Sequence, residues 1–581
     1  MKKDHSRFTY LLIWLLIVVT SLSHFISLDD LRVITWDVYG YYLYLPAILK
    51  YGDTSQYVFA VEHLSQYKVS EQIYQITDWN GYKAPIYTIG MALIYLPFYL
   101  IADLIAHLIP SITADGLSPI YQWSIVIGSW IYTGVGLFFS NKILRILKVS
   151  RLSILITLCV IFLGTNYFHY ATYENGMPHH FLYTLYTVLI YCTIRWHSDA
   201  KLKYIIGGSI CIALLCLARP SELVSLLIPG LYGIYGGLSW LVKIQRIKKY
   251  FFQILIMGAI GLALVFIQML FWKINLDQWV FNGYQGHHFD FLSPHIQEGL
   301  FSFRKGWLIY SPLCMLGIIG IPFLWKYDRR WIFPVLIFMI VNTYIVLSWH
   351  IWWYASSFGM RAMIQSYAVL MIPTAFFIEW LMKRSSGKWM IIFISAAGIF
   401  LNQFQDWQYR NKILLQDEMN AVFYQKSFMK SDLDLSLRKY IDAPEYYKGD
   451  KNLQPMSKYD PVYQDTILPG AFSYTHRIPV KELIQISYDQ WINAEAIVSM
   501  EGNDFNSHQQ ARLVVAQKDS KNDIKWRGVR FQQMMVAERL KLDFDFKVEP
   551  QQSPEEYVEI TIWNNGPDTI YLKTLNVNLY R

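Results

Sequence analysis

Residues 8–28 read FTYLLIWLLIVVTSLSHFISL, and this stretch decides the fold. It carries no Asp, Glu, Lys or Arg and is about as long as the ~20 residues that an α-helix needs to cross a bilayer. Lys2, Lys3 and Arg7 precede it, and no convincing Ala-x-Ala cleavage site follows. We therefore expect a retained first helix whose basic end lies in the cytoplasm.

Similar apolar blocks recur along the chain as far as about residue 404. Short basic clusters such as Lys142–Arg151 and Lys383–Lys388 separate them, and such clusters favour the cytoplasmic side of a membrane. Further candidate spans lie at about 118–141, 152–168, 180–195, 203–218, 222–242, 250–273, 307–325, 331–349, 363–382 and 388–404. Together with the first helix they predict an α-helical polytopic membrane domain, residues 1–405, with 11 crossings.

One more apolar block, Ile86–Ile109, contains Pro97, Asp103 and His107. A single crossing here would place every later basic cluster outside the cytoplasm, against the positive-inside trend. We therefore expect a juxtamembrane segment that packs against the outer leaflet, within a long first outer loop at 29–117. A second crossing nearby would keep the same orientation and give 13 crossings. In either case the chain beyond residue 405 is extracytoplasmic.

The composition excludes an ordinary soluble enzyme, a disordered chain and a fibrous repeat. Of the 581 residues 54% are hydrophobic and only 16% are charged, whereas soluble proteins carry about 25% charged residues. The net charge of +8 comes largely from the clusters between apolar blocks, so it does not predict a nucleic-acid partner. All five cysteines lie inside apolar blocks, which argues against a disulfide framework and a cysteine-based metal site.

The tail differs from the rest of the chain. Residues 406–440 have a charged, helical pattern that predicts a linker helix. Short alternating runs with turn residues between them follow, which predicts an extracytoplasmic β-sandwich of jelly-roll type at 441–581. These runs are Leu483–Tyr488, Trp491–Met500, Ala511–Ala516, Leu540–Val548, Tyr557–Trp563 and Thr569–Leu579. Trp491, Trp526 and Trp563 are either platforms for carbohydrate or core residues.

The predicted outer loops hold the titratable residues that chemistry needs. They are 29–117, 169–179, 219–222, 274–306 and 350–362. The first contains TWDVYGYYLYLPA at 35–47, where Asp37 opens a predicted amphipathic helix with Tyr41 and Tyr44 on the same face. A carboxylate at the membrane surface can take a proton from a sugar or lipid hydroxyl. The alternative is a helix N-cap followed by an interfacial aromatic belt.

Two further stretches carry a family resemblance. Tyr82-Lys83-Ala84-Pro85-Ile86-Tyr87 is similar to the Lys-Pro-Pro-Leu-Tyr element of lipid A aminoarabinose transferases, which are related to the protein O-mannosyltransferases. Arg361 follows WWYASSFG at 352–359, which resembles a late outer loop of bacterial members. With an acidic residue after the first helix and a soluble C-terminal domain, the chain resembles the GT-C superfamily of integral-membrane glycosyltransferases. It departs from the pattern at Ala84 and in lacking an acidic neighbour beside Asp37.

The resemblance implies a polyprenyl-phosphate-linked sugar as donor and direct, inverting transfer. Asp37 would be the general base, and Lys83 and Arg361 would hold the donor phosphate. The alternatives are that Lys83 only extends along the membrane surface and that Arg361 pairs with lipid headgroups. Arg304 and Lys305 also lie on the predicted outer face against the positive-inside trend, which favours an anionic ligand such as the donor phosphate, although anionic lipid headgroups would explain it equally.

Other outer-loop residues are candidates for the acceptor site. Tyr41, Tyr44, Glu174, His179 and His180 could bind the acceptor or the sugar, although a polar turn re-entering the membrane would also explain the last three. A divalent metal is possible, but a His-His pair is weak support for it. Arg219 and Glu222, three residues apart in one turn, could neutralise each other.

The predicted function is that of a membrane glycosyltransferase acting on a glycan, lipid or protein acceptor outside the cytoplasm, most simply in a bacterial inner membrane. The sequence requires no cofactor, since it lacks the Walker, Rossmann, His-Glu-x-x-His and Gly-x-Ser-x-Gly motifs. The alternative is a transporter or flippase for a lipid-linked glycan, but the sequence shows no internal repeat of the kind transporters contain. A membrane-anchored assembly protein would not explain the titratable first loop.

Overall fold

The computed structural model describes residues 5–28, 31–432, 434–449, 457–473, 476–484, 490–500, 511–519, 522–531, 540–566 and 568–580. The chain divides into two compact units, Met1–Trp407 and Gln408–Arg581. Lys2 and Lys3, on which the orientation of the first helix partly depends, lie outside the described residues.

The first unit is helical. Its α-helices are His5–Ile26, Trp36–Tyr42, Tyr44–Pro46, Phe59–Tyr67, Gly90–Leu108, Pro119–Ile146, Arg151–Leu163, Tyr167–Thr172, Pro178–Asp199, Leu202–Ala218, Leu227–Leu231, Gly237–Lys249, Phe251–Leu276, Ile296–Phe301, Trp307–Tyr310, Met315–Gly320, Leu324–Tyr327, Ile332–Leu347, Tyr367–Met382 and Ser385–Arg410. Tighter or wider helical turns are Ala47–Tyr51, Pro220–Leu226, Pro312–Cys314, Ile321–Phe323, Arg329–Trp331 and Arg361–Ser366.

Six of the described helical segments are long and apolar enough to cross a membrane. They are Gly90–Leu108, Pro119–Ile146, Phe251–Leu276, Arg329–Leu347, Arg361–Met382 and Ser385–Arg410. Shorter apolar helices lie within five other predicted spans, at Tyr10–Ile26, Arg151–Leu163, Leu202–Ala218, Pro220–Leu231 and Pro312–Tyr327. The helical, multi-pass character predicted from the apolar blocks is therefore present, whereas the number of crossings stays a prediction.

Two of the predicted spans are not continuous helices. The block at 222–242 is divided between Pro220–Leu231 and Gly237–Lys249, because Gly233 adopts a left-handed conformation with φ +88° in the connection. The block at 307–325 contains short helical segments, since Pro312 and Pro322 cannot donate the backbone hydrogen bonds of a regular helix. An apolar composition identified both blocks without showing these breaks.

The helix Gly90–Leu108 joins two segments that bond to the same loop. Before it, the Tyr87 hydroxyl donates to Asp37 Oδ1 at 2.7 Å. After it, the Gly116 carbonyl accepts a hydrogen bond from the Tyr42 hydroxyl at 2.6 Å. The segments on both sides of this helix are thus attached to the helix Trp36–Tyr42, although Gly90–Leu108 itself is long enough to cross a membrane.

The first outer loop also contains a β-hairpin that the sequence analysis did not predict. Strands Ile76–Trp79 and Tyr82–Pro85 pair antiparallel, with Asp78 opposite Lys83. Asn80 and Gly81 form the turn with φ +49° and +84°, as the Asn-Gly pair of a tight hairpin does. The hairpin delivers the chain to Tyr87, whose ring faces the helix Trp36–Tyr42.

The second unit contains two four-stranded sheets in which all described strand pairs are antiparallel. One sheet has the order Ser457–Ile467, Ile570–Tyr580, Trp491–Met500 and Leu540–Lys547. The other has the order His476–Pro479, Tyr557–Trp563, Arg512–Lys518 and Asp523–Arg530. Buried side chains of both sheets form one hydrophobic cluster, so the alternation seen in the sequence does mark strands with one buried face.

The helices and strands of the tail begin and end at other residues than the sequence predicted. The stretch 406–440 contains the end of Ser385–Arg410, the short helix Ala421–Ser427 and the turn Leu435–Arg438, before a further short helix at Lys439–Asp442. Asn420 caps the first of the short helices by accepting from the Phe423 N–H at 3.0 Å. Of the predicted run Leu483–Tyr488, residues 485–488 lie outside the described residues, and Leu483 belongs to the helix Val480–Ile484.

The three tryptophans considered as carbohydrate platforms have different surroundings. Trp563 stacks on Phe472 with ring centroids 5.9 Å apart and planes within 7°. The Arg512 guanidinium lies 5.7 Å from the Trp526 ring, and the Lys547 ammonium lies 6.0 Å from the Trp491 ring. A carbohydrate-binding role for this unit stays a prediction.

Candidate functional site

The centre of the candidate site is an ion pair between two predicted outer loops. Asp37 Oδ2 lies 2.9 Å from Nη2 of Arg361, a residue 324 positions later in the chain. The other carboxylate oxygen accepts hydrogen bonds from the hydroxyls of Tyr87 at 2.7 Å and Tyr74 at 2.8 Å. The Asp37 side chain keeps 24% of its surface exposed, so a small molecule could still reach it.

Local structure explains why the two side chains meet. Asp37 is the second residue of the helix Trp36–Tyr42, which begins where the Trp36 N–H donates to the Val69 carbonyl at 2.8 Å. Arg361 opens a tight helical turn after Gly359, which has φ +60°. A Cβ atom at Gly359 would lie 2.9 Å from the Cβ of Tyr310, so only glycine fits the approach to Arg361.

The environment of Asp37 stabilises its charged form. Burial would raise the pKa of the carboxyl group, but the Arg361 guanidinium and the hydroxyls of Tyr87 and Tyr74 outweigh it and lower the pKa below the ordinary 3.8. Tyr41 lies beside the pair, and burial raises the pKa of its phenol to about 12. Asp37 is therefore ionised at neutral pH, and in this arrangement it is a weak base.

A second arginine, Arg219, belongs to this cluster although the sequence analysis assigned it no binding role. The charges of Arg219, Asp37 and Arg361 all act on the Tyr41 phenol, so both guanidiniums lie in the vicinity of that residue. The Arg219 guanidinium lies 5.6 Å from the ring centre of Tyr354. Its Nη1 atom is buried and has no hydrogen-bond partner among the described residues.

Glu222 lies near enough to Arg219 for the two charges to act on each other, but its direct hydrogen-bond partners are other residues. Its carboxylate accepts hydrogen bonds from the Tyr186 hydroxyl at 2.6 Å and from the Gln365 amide at 2.8 Å. Within the described part of the chain, no ion pair joins Arg219 to Glu222. The sequence did contain one signal that could have identified Arg219 as a binding residue. Like Arg304, it is a cation on the predicted outer face.

Tyr41 and Tyr44, predicted to bind the acceptor or the sugar, are both buried. The Tyr41 ring stacks on Tyr87 with centroids 4.1 Å apart. The Tyr44 hydroxyl donates to the Tyr87 carbonyl at 2.8 Å, so Tyr44 holds the segment that carries Tyr87. Of the two, Tyr41 is the residue that lies within the charged cluster.

Glu174, another predicted acceptor-site residue, is held by a buried histidine. His169 Nε2 lies 3.2 Å from the Glu174 carboxylate, and His169 Nδ1 lies 2.6 Å from Asp406. Burial would lower the pKa of His169, but the two carboxylates outweigh it and raise the pKa to about 9. A protonated His169 therefore orients Glu174, whose charge also acts on Arg361.

His179 and His180 point to different surroundings. His180 Nε2 lies 2.8 Å from the Ser129 hydroxyl, whereas the His179 ring lies 5.5 Å from the ring of Tyr170. The pair therefore does not form a chelate. Across the described residues, no group of three or more His, Cys, Asp or Glu side chains is arranged to hold a metal ion.

The remaining predicted phosphate-binding residues lie on the loops that surround the pair. Lys83 is partly buried in the hairpin, where its backbone N–H donates to the Ser55 carbonyl at 2.9 Å. The Arg304 guanidinium covers the Trp353 ring at 3.9 Å. The buried Lys305 ammonium donates to the Ser357 carbonyl, so Lys305 supports the loop that carries Arg361.

All five predicted outer loops contact one another around Asp37 and Arg361. Tyr284, from 274–306, approaches Tyr87 with ring centroids 5.7 Å apart. Tyr170, from 169–179, accepts a hydrogen bond from the Phe358 N–H at 3.1 Å. The 219–222 turn contributes Arg219. The structure thus brings together Asp37, Arg361, Tyr41, Arg219 and Glu174 in one cluster, while Tyr44, His180 and Lys305 have structural partners.

The chain is similar to solved structures at low sequence identity. A solved structure of the archaeal oligosaccharyltransferase AglB from Archaeoglobus fulgidus, in complex with an inhibitory peptide and a dolichol-phosphate, matches with a TM-score of 0.38 and 12% sequence identity. The match covers 70% of this chain and 56% of that one, so the chain spans little more than half of the AglB length. A TM-score this low does not establish a common fold. No protein-family model and no curated protein matches the sequence.

Proposed function

We propose that the protein is a membrane glycosyltransferase of the GT-C type that moves a sugar from a polyprenyl phosphate to an acceptor outside the cytoplasm. The observation that carries the proposal is the 2.9 Å pair between Asp37 and Arg361. This pair places a carboxylate that can accept a proton beside a guanidinium that can bind a phosphate, which are the two groups that such a transfer needs.

The pair also suggests how the base becomes active. In the free protein Arg361 neutralises Asp37 and lowers its pKa. A donor phosphate that binds Arg361 takes over this guanidinium, and the Asp37 carboxylate then regains its basicity. Arg219 is the second phosphate-binding group, since its buried Nη1 lacks a partner in the described chain.

Transfer then follows by direct displacement. Asp37 takes the proton of the acceptor hydroxyl, and the acceptor oxygen attacks the anomeric carbon. The bond from that carbon to the phosphate oxygen breaks, and the polyprenyl phosphate leaves with the electron pair. Because one displacement occurs, the anomeric configuration inverts. Arg361 and Arg219 stabilise the negative charge that develops on the phosphate.

The other candidate residues have supporting roles in this proposal. Lys83 and Arg304 lie at the edge of the donor-phosphate region, and Lys305 positions the Arg361 loop. Tyr41 and Glu174 face the sugar or the acceptor, while His179 and His180 shape the wall behind them. A divalent metal could assist, but in the described chain no group of three or more His, Cys, Asp or Glu side chains is arranged to hold it.

The proposed setting is a bacterial inner membrane with the site and the jelly-roll domain on the periplasmic side. The segments that flank Gly90–Leu108 both bond to the helix Trp36–Tyr42, which supports placing both of them on the outer face. We therefore retain 11 crossings, with 13 as the alternative. The acceptor is a glycan, lipid or protein, and membrane lipids surround the helices.

The test is donor consumption by the purified protein in lipid nanodiscs. The wild-type protein, Asp37→Asn and the control Glu62→Gln receive a panel of polyprenyl-phosphate sugars and candidate acceptors. Glu62 is an exposed carboxylate of the same loop, so its loss should leave transfer unchanged. We expect wild type and Glu62→Gln to form product and Asp37→Asn to form almost none. Full transfer by Asp37→Asn would remove the base from the mechanism.

The transporter alternative is separated by a second readout. The same proteins in sealed vesicles are supplied with a fluorescent lipid-linked glycan, and its movement across the bilayer is followed. Movement without consumption of any donor would replace the proposed transferase by a flippase.

A further inference from the structure

An open groove is lined by Trp36, the residue that precedes the proposed base in the chain. Its cavity volume is about 530 Å³, which is enough for two sugar rings. Most of its lining residues are polar or charged, namely Arg32, Thr35, Lys68, Ser70 and Glu71, and Trp36 lies among them. We call it the Trp36 groove. It belongs to the first outer loop and is distinct from the guanidiniums assigned above to the donor phosphate.

Trp36 presents an exposed aromatic ring in this groove. Half of its surface, 50%, is accessible, although large aromatic side chains of this loop such as Tyr39, Tyr42 and Tyr57 are buried. Its position among Lys68, Glu71 and Ser70 differs from that of a ring that faces lipid, since charged neighbours would be costly there.

The backbone at Trp36 is strained, and hydrogen bonds hold it on both sides of the residue. Its φ is +49°, a left-handed conformation that a bulky residue rarely adopts. The Trp36 N–H donates to Val69, and the Trp36 carbonyl accepts from the Gln75 amide at 3.1 Å. Glycine would fit this conformation without strain.

Tyr74 connects the groove to the base. Its ring approaches that of Trp36 with centroids 6.4 Å apart, and its hydroxyl donates to Asp37 Oδ1 at 2.8 Å. Trp36 also precedes Asp37 in the chain. A molecule that lies on the Trp36 ring would therefore be close to Tyr74, the residue that bonds to the proposed base.

We propose that the Trp36 groove binds a carbohydrate acceptor, with one sugar ring stacked on the indole of Trp36. The C–H face of a pyranose is weakly positive and packs on the negative face of an indole ring. Sugar hydroxyls both donate and accept hydrogen bonds, and the groove offers both kinds of partner through Lys68 and Glu71. This inference rests on the proposed function and selects a glycan among its possible acceptors.

The test uses saccharide binding to the full-length protein in nanodiscs, followed by saturation-transfer NMR. The probes are cellotriose, chitotriose and trigalacturonate, with a Ser- and Thr-rich peptide as the competing class. The key variant is Trp36→Gly, because it removes the ring and relieves the backbone strain, so it should fold at least as stably as the wild type. Trp36→Phe restores a ring, and Tyr82→Ala removes an exposed ring elsewhere in the same loop.

We expect at least one saccharide to bind the wild type, Trp36→Phe and Tyr82→Ala, and to bind Trp36→Gly about tenfold more weakly. Unfolding temperatures of Trp36→Gly at or above that of the wild type exclude misfolding as the cause. Equal saccharide binding by Trp36→Gly, no binding of any saccharide, or peptide binding that depends on Trp36 would each overturn the proposal.

A kinetic arm separates this proposal from the proposed function. With an active donor, Trp36→Gly should raise the KM for the acceptor about tenfold and change kcat little, whereas Asp37→Asn should lower kcat. Donor consumption with an unchanged acceptor KM in Trp36→Gly would overturn the groove and leave the transferase. Trp36-dependent saccharide binding without consumption of any donor would keep the groove and overturn the transferase.

Discussion

Two arginines, one in each unit of the molecule, have opposite surroundings. In the second unit, the Arg530 guanidinium contacts both Asp442, at 2.7 Å, and Glu418, so its donors have carboxylate acceptors within the unit. In the first unit, Arg219 is partly buried, and its buried Nη1 atom lacks a partner among the described residues. A satisfied arginine stabilises the fold, whereas an unsatisfied one costs stability unless a ligand completes it.

The carboxylates show the same contrast. Asp442, at the end of the helix Lys439–Asp442, forms a structural pair with Arg530, whereas Asp37 is paired across loops with a single guanidinium that a phosphate could take over. We infer that the second unit uses its charges for stability and that the loop cluster of the first unit uses them for binding and proton transfer. The predictions below test this division, from the largest expected effect to the smallest.

The largest expected effect is the loss of transfer in Asp37→Asn. Removal of a general base typically lowers kcat by about 10²–10⁴-fold. The matched variant Asp442→Asn should leave kcat unchanged and lower the unfolding temperature instead, since a partly exposed pair contributes about 1 kcal/mol or less. Steady-state kinetics and thermal unfolding of both variants measure this. The division would be wrong if Asp442→Asn lost transfer while its unfolding was unchanged.

Arg219→Gln should act in opposite directions on binding and on stability. It removes a buried charge with an unpartnered nitrogen, so the unfolding temperature should rise or stay constant. Binding of a polyprenyl phosphate should weaken about tenfold, because one charge-assisted contact to the phosphate is lost. Thermal unfolding and a lipid-binding titration provide the two readouts. A fall in stability with unchanged lipid binding would assign Arg219 a structural role.

The pH dependence of the reaction should differ between the free and the donor-bound protein. The pKa of Asp37 is lowered in the free protein, so the acid limb of kcat/KM that it causes should lie below pH 4. Donor binding removes Arg361 from Asp37, so the acid limb of kcat should lie at higher pH. Rate profiles between pH 3 and pH 8 measure both limbs. Coincident limbs would show that the donor leaves the pair intact.

The lowered pKa of Asp37 also determines how the stability of the protein changes with pH. Because the folded-state pKa of Asp37 is depressed, the pair stabilises the protein above the unfolded-state pKa of about 3.8 and loses this contribution as the pH falls through the folded-state value. Unfolding temperatures of wild type and Asp37→Asn should therefore differ at neutral pH and converge below pH 3. A constant difference down to pH 2 would contradict this assignment.

The smallest expected effect concerns His169. Its pKa is raised to about 9, so its contribution to stability is fully present below the ordinary value of 6.5 and is lost as the pH rises through about 9. The wild type should lose a few degrees of unfolding temperature between pH 7 and pH 10 that His169→Gln does not lose. Thermal unfolding at the two pH values decides this, with Glu62→Gln as the unchanged control.

The first helix, the apolar blocks and the alternating strands of the tail could be predicted because each depends on a local pattern of the sequence. Asp37 could be singled out for the same reason, since it follows the first apolar block. The Asn80-Gly81 hairpin carried an equally local signal and was nevertheless missed. Breaks such as that at Gly233 depend on one backbone conformation within an apolar block, which composition does not reveal.

The partners of the site residues could not be predicted, because the contacts join distant parts of the chain. The spacing of Arg219 and Glu222 suggested a local pair, but Tyr186 and Gln365, which are far away in sequence, hold Glu222 instead. Likewise, nothing near Arg361 indicates that it meets Asp37. A single sequence shows which residues are charged, whereas the tertiary fold decides which of these charges are left for a ligand.

The separation of Asp37 and Arg361 by 324 residues has a consequence for biosynthesis. At about 5–20 residues per second, a ribosome needs roughly 15–65 seconds to make the chain between them. During this interval the first outer loop has already left the ribosome while its guanidinium partner does not yet exist. The nascent chain therefore cannot bind donor at a completed site, and only a nearly full-length membrane unit can assemble it.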